Sequence, residues 1–255
     1  MPVEQLLSKN AVDPDRLRAL PGELDIPRYL VESYWWAYLH PAAIAFFDHP
    51  WIVNLILWGN YARLCAAALA ELGPRPLAGR TLQIACVYGD LTQRLADRLG
   101  ADATLDVIDV VPQQLANLRR KIAHQPRVAL WRSNSCELGG PDARFDQVLI
   151  FFLLHEQPAS ARRATLGEAL RVVRPGGRIV IVDYHRPSRL NPLRYLMRPI
   201  LRWLEPFALD LWRDELDAWL PDGGAVVARR RLLFGGLYQL LVLTAGPTQD
   251  GARFR

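Results

Sequence analysis

Between residues 81 and 183, short apolar runs alternate with stretches of helical periodicity, a pattern that permits few architectures. The runs TLQIACV (81–87), ATLDVID (103–109), RVALW (127–131), FDQVLIFFLL (145–154) and GRIVIVD (177–183) have the length and composition of buried strands. Between them LTQRLADRL, PQQLANLRRKIAH and PASARRATLGEALRVV carry apolar residues three and four apart, with basic residues toward their C-terminal turns. Strands separated by single helices are joined by crossovers, so the chain is predicted to form an α/β fold: an open, mostly parallel sheet with helices on both faces. Two later runs, AVVARRRLL and GGLYQLLVLT, read as an antiparallel closing hairpin, which brings the sheet to seven strands.

Around this core the sequence divides into a helical N-terminal extension (1–74), the sheet domain (75–245) with a helical insert at about 186–219 after the fifth strand, and a tail (246–255). A chain of 255 residues, 51% hydrophobic, is long enough to bury the core of one generous domain. Cys65, Cys86 and Cys136 form no CxxC pair, which favours a reducing compartment. The N-terminus lacks the pattern of a secretory leader, and no stretch reaches the length of a membrane span without charge or proline. The expected location is cytoplasmic.

A net charge of +5 has meaning only through placement. Arg186, Arg189, Arg194, Arg198 and Arg202 lie in the insert, the last three at intervals of four, interleaved with Leu193, Leu196, Met197, Ile200, Leu201 and Trp203. A basic stripe beside an apolar one is an interfacial pattern, so peripheral attachment to the anionic inner-membrane surface is expected; a solvated face on a core helix is the alternative. Arginines mixed with Leu and Trp argue against nucleic acid.

In open α/β sheets ligands lie beyond the carboxyl ends of the strands, with the first strand-loop-helix turn nearest. Here that turn is QIACVYGDL, with Gly89 its one glycine. Asp109, at the predicted tip of the second strand, suits the hydroxyls of a ribose; Asp106 is its rival.

TLQIACVYGDL, DVIDVVPQQL, SNSCEL, FDQVLIFFLLHE and EALRVVRPGGRIVIVD together resemble the class I S-adenosylmethionine (SAM) dependent methyltransferases over roughly residues 75–185, and more loosely to 245. The resemblance implies a Rossmann-like fold and a SAM-binding site built from Gln83, Ala85, Val87, Tyr88, Gly89, Asp109, Val110, Asn134 and Ser135. It also exposes departures. Gln83 stands where that family usually has an acid, Ala85 and Val87 where it has further glycines, and Asn134 where an acid commonly meets the adenine amine. The changes concentrate at the methionine end of SAM.

The segment YWWAYLHPAAIAFFDHPWIVNLILWGNY, taken with VYGD, resembles the rhodoquinone biosynthesis proteins more narrowly. That resemblance implies conversion of ubiquinone to rhodoquinone, a ring methoxy group being replaced by an amino group with SAM as nitrogen donor and Mn²⁺ or another divalent metal assisting. Gln83 suits such chemistry, because a carboxylate there would hold the SAM amine as ammonium. Tyr88, Asp183 and His185 are the candidate catalytic residues, and Tyr34, Trp35, Tyr38 and His40, with Trp36, candidates for stacking on a quinone ring. His155, Glu156, Asp183 and His185 are candidate metal ligands at the ends of the fourth and fifth strands, with Asp183 and His185, which share a face by alternation, the better pair; alternatively His155 shapes the pocket and Glu156 faces solvent. Asp90 is a candidate helix cap and Asp146 a turn or packing residue. The competing readings are a methyltransferase acting on a quinone precursor or other apolar acceptor, and a non-catalytic module. Nothing in the sequence sets the oligomeric state.

Overall fold

A computed structural model describes residues 25–38, 41–86, 88–221 and 224–246. Four helices come first: α1 (Arg28–Tyr38), α2 (Pro41–Phe47), α3 (Pro50–Ile56) and α4 (Tyr61–Leu72). The sheet region follows as β1 (Arg80–Ile84), α5 (Leu91–Ala96), β2 (Thr104–Asp109), α6 (Pro112–Lys121), β3 (Val128–Arg132), β4 (Phe145–Phe151), α7 (Ala159–Val172) and β5 (Val173–Tyr184). The insert contributes α8 (Leu193–Leu204) and α9 (Asp210–Arg213), and β6 (Ala225–Leu233) and β7 (Tyr238–Ala245) close the chain.

The strands form one seven-stranded sheet in the order β3-β2-β1-β4-β5-β7-β6. All neighbours are parallel except β7, which is antiparallel to both β5 and β6. The order reverses between β1 and β4, and this reversal opens the crevice in which α/β sheets bind ligands.

Side-chain alternation divides the core in two. Leu149 and Phe151 of β4, with Val180 and Val182 of β5, pack on the face covered by α4, α5 and α6. Val148 and Ile150, with Ile179 and Ile181, pack on the face covered by α7. Strands buried on both sides read as unbroken apolar runs, which is why β4 shows no polar alternation. α8 continues through Pro199 and buries Met197 and Leu201 on the first face.

Strand ends differ from the sequence expectation. β1 stops at Ile84 and β4 at Phe151, because Ala85 and Phe152 turn into the left-handed region, with φ of 73° and 52°. RPGG is no linker between helix and strand: β5 begins at Val173 directly after α7, and residues 174–177 bulge between the pairs Phe145↔Val173 and Gln147↔Arg178. Asp146 is structural as expected, accepting from Arg80 N and pairing with Arg174 at 2.9 Å. Asp90 sits at the N-cap of α5, but its carboxylate pairs with Arg94 instead of capping the helix amides.

Candidate active site

The loop after β1 is tied down by side chains from outside the sheet. Gln83 is buried beneath it, donating to Ala85 O at 3.0 Å and accepting from Thr92 Oγ1 at 3.1 Å. Cys86 N donates to Asp109, Gly89 N to Asp48 and Asp90 N to Tyr61 Oη. Lys121 bonds to Gly89 O and to Asp48. Tyr88 Oη donates to Ala37 O of α1 and accepts from Gln114 Nε2 of α6. Only glycine fits at position 89: φ is 87°, and a Cβ would lie 2.4 Å from Tyr61 Oη.

Asp109 ends β2 within the crevice, as expected of a ribose ligand, whereas Asp106 is buried and accepts from Trp131 Nε1. Each Asp109 oxygen accepts one amide at 2.8 Å, from Cys86 and from Val111, and retains acceptor capacity toward the crevice. Burial pushes its carboxyl up to about 6 despite those amides. Asn134 lines the cavity, and its Oδ1 accepts from Cys136 N. Ser135 Oγ is shared with Thr165 and Gln157.

The second group of titratable residues lies at the ends of β4 and β5. Asp183, fully buried, accepts from the amides of Leu154, His155 and Tyr184 and from His155 Nδ1 at 2.9 Å. The imidazole is thereby fixed with Nε2 directed between Glu156 and Glu205, at 3.8 and 3.9 Å. Burial opposes a positive charge on His155, but Asp183, with Glu205 and Glu156 beyond, outweighs it and raises the imidazole to about 9. Burial also raises Glu205.

Both groups open into one cavity of about 610 Å³, a volume typical of small-molecule and cofactor sites. Asp109, Val110, Ser133, Asn134 and Ser135 line the part beyond β2 and β3, and His155, Glu156, Tyr184 and Glu205 the part beyond β4 and β5. Tyr29, Trp36, Phe47, Tyr88 and Phe152 supply aromatic walls, and α3 and α8 add Leu55, Ile56, Met197 and Ile200. Three residues of this wall, Trp58, Ala85 and Phe152, are non-glycine residues with positive φ. Backbone strain of this kind concentrates at ligand sites.

Several expectations need correction. Gln83 braces the loop and does not reach the cavity wall. Tyr34 is buried directly behind the wall, packed with Leu30 and Val111 beside Glu205; Tyr29 and Trp36, one helical face, line the cavity instead. The side chains of Trp35 and Tyr38, and residues Val87 and His40, lie outside the described residues. Glu156 is buried, contrary to the alternative that placed it in solvent. Asp183 and His185 do not pair, because β5 ends at Tyr184 and the alternation ends with it; His185 Nδ1 contacts Gly236 O and its Nε2 lies 3.7 Å from Glu215.

This separation also divides the expected metal ligands. Among the described residues no three His, Cys, Asp or Glu side chains are arranged to hold a metal ion. Asp183 is saturated by three amides and an imidazole, so the set His155, Glu156, Asp183 and His185 does not fit Mn²⁺ or another divalent ion. Sequence reasoning missed Tyr29, Gln114, Phe152, Tyr184 and Glu205 as wall residues.

Residues 81–177 match a family model described as a methyltransferase domain. The demethylmenaquinone methyltransferase of Bacillus licheniformis is 32% identical over 113 residues, 44% of this chain and 48% of that protein. The ubiquinone/menaquinone biosynthesis C-methyltransferase of Ectopseudomonas mendocina is 31% identical over 146 residues, 56% and 55% of the two chains. The chain thus spans about half the length of these relatives. A SAM dependent methyltransferase from Aquifex aeolicus shares the fold with a TM-score of 0.54 at 19% identity, covering 81% of this chain and 98% of that one. Residues 81–177 thus carry the likeness to a methyltransferase domain, on a Rossmann-like, mostly parallel seven-stranded sheet.

Proposed function

We propose that the protein is a SAM-dependent transferase whose acceptor is an isoprenoid quinone or a quinone precursor. The observation carrying this reading is a single cavity that joins a ribose-type carboxylate, Asp109, to a carboxylate-held imidazole, His155, between aromatic and aliphatic walls. Asp109 accepts from the ribose hydroxyls, while Asn134 and Ser135 border the base. Tyr29, Trp36 and Phe152 enclose a planar ring. His155, charged at neutral pH and oriented by Asp183, donates from Nε2 to a ring oxygen on which negative charge develops.

Methyl transfer to a ring carbon is the reading the quinone-methylating relatives support. When bound, SAM supplies an electrophilic methyl group for it. A second reading, amination of ubiquinone to rhodoquinone, is favoured by one specific feature. The loop amides of Cys86, Gly89 and Asp90 are already engaged by side chains, so they do not hold the amino-acid end of SAM. Either reaction uses the same donor on the ring oxygen. No step is assigned to a metal, since the expected donor set does not fit one.

The test incubates the protein and ubiquinone or a demethylated precursor with SAM labelled separately at the methyl carbon and the amino nitrogen. Methyl label in the product supports methyl transfer and nitrogen label supports amination. Neither label in any quinone, with SAM bound, refutes the acceptor class.

A further inference from the structure

The mouth of the cavity is built from side chains that water does not favour. Trp51, Leu55 and Ile56 of α3 and Tyr195, Leu196 and Trp203 of α8 are exposed, Leu55 by 70% and Trp203 by 86%. Trp58 Nε1, just beyond α3, donates to Met197 Sδ of α8 at 3.3 Å, so the two segments meet beside the cavity that both line. Leu55 and Ile56 also line the cavity, as do Ile200 and Leu204 of α8. Scattered exposed apolar residues are ordinary, but a contiguous group at the rim of a ligand site needs a partner.

Charge identifies the partner. Arg194, Arg198 and Arg202 recur every fourth residue along α8, Arg186 and Arg189 precede it, and neither 186–204 nor 49–70 contains an acidic residue. Among the described residues none of these five arginines forms an ion pair, although Arg171, Arg174, Arg213, Arg229 and Arg230 all do. Leu196 and Trp203, seven apart, run beside the arginine stripe. At 12 residues α8 extends roughly 18 Å, too short to cross a bilayer but suited to lying in its interface. Among the described residues no single helix is long and apolar enough to cross a membrane; α3 and α4 pass that test only as a pair bent by 95°, and α4 is packed in the core. A second copy is a poor partner, because a two-fold contact would set one arginine stripe against another.

We propose that α3 and α8 dock on an anionic lipid surface, and that the acceptor passes from the bilayer into the cavity between them without crossing water. The docking stands on the surface alone; the passage rests on the isoprenoid acceptor proposed above. Trp51 and Trp203 enter the acyl boundary while Arg198 and Arg202 meet the phosphates, each arginine contributing about fivefold in partitioning.

The experiment sediments the full chain with phosphatidylcholine vesicles, with and without phosphatidylglycerol. Binding is expected only with phosphatidylglycerol, weakening with salt. The double variant Arg198→Gln/Arg202→Gln should lower partitioning by about 30-fold, and Trp51→Gln/Trp203→Gln should abolish it, with the melting temperature unchanged. Equal binding to both vesicle types, no binding, or variants that bind like the parent would overturn the docking, as would a concentration-dependent dimer broken by the tryptophan pair. A second arm compares a short-tailed quinone in solution with a long-tailed one in vesicles. The variants should turn over the first normally and lose the second, and equal turnover of both would overturn the passage. Vesicle binding without turnover of either quinone by the parent would count against the proposed function and leave the docking intact.

Discussion

Replacing Asp183 by Asn tests whether the buried imidazole is held charged by its neighbour. The substitution keeps the shape of the side chain but removes the charge facing His155 Nδ1 at 2.9 Å, and it also sets an amide NH2 against two of the four donors the carboxylate accepts, a loss that does not vary with pH. His155 is 5% exposed, so little solvent screens the pair. An ordinary imidazole titrates near 6.5 and His155 is raised to about 9, a difference corresponding to roughly 3 kcal/mol. Because the folded value is the higher one, that stabilisation is fully present below about pH 6.5 and is lost as pH rises through about 9. For a chain of this size the pH-dependent part of the gap in melting temperature between parent and Asp183→Asn should be about 6–12 °C near pH 6. Melting curves from pH 6 to 10 should show the gap narrowing steadily. A gap independent of pH would mean that Asp183 serves only the amides of Leu154, His155 and Tyr184, and the charged imidazole would have to be abandoned.

Three further outcomes are expected. Ala85→Gly should raise stability by up to about 1 kcal/mol in denaturant titration, since it relieves a left-handed φ of 73° against a smaller loss of backbone entropy; destabilisation would show that the alanine methyl packs more strongly than the strain opposes it. Asp109→Asn should weaken SAM binding by at least about tenfold in calorimetry, and parent affinity should fall as pH drops through about 6, where the buried carboxyl takes up a proton; a flat profile would remove Asp109 from the ribose. Catalytic efficiency should decline as pH rises through about 9, and His155→Phe should lower it by about 10²–10⁴-fold, whereas unchanged turnover would leave His155 a structural residue.

The sheet was legible because buried parallel strands and amphipathic helices leave distinct periods in the sequence, and the final hairpin likewise. RPGG misleads because Pro and Gly mark a turn equally whether it precedes a strand or bulges from one. In the site, Asp109 was legible because a strand-end acid needs only local pattern. His155 and Asp183 are 28 residues apart, and their bond follows from β4 lying beside β5, which no spacing reveals. The pairing of Asp183 with His185 assumed alternation one residue beyond the end of the strand. Glu205 follows α8 in an irregular segment and carries no local signal at all. The aromatic cluster was recognised as important, but choosing its cavity face required the seven-residue spacing of Tyr29 and Trp36 over the adjacent Tyr34.

The partners of the VYGD loop carry a consequence for engineering and for ancestry. Its backbone and its tyrosine are satisfied by Ala37 of α1, Asp48 of the turn between α2 and α3, and Tyr61 of α4, all preceding the sheet, and by Gln114 and Lys121 of α6. A glycine-rich loop transplanted from an ordinary methyltransferase would lose the Tyr88 hydroxyl that joins Ala37 to Gln114, and this loop grafted elsewhere would lack the Asp48 and Tyr61 side chains that hold the amides of Gly89 and Asp90. Loop and helical cover therefore form one bonded unit, whose two halves are expected to change together.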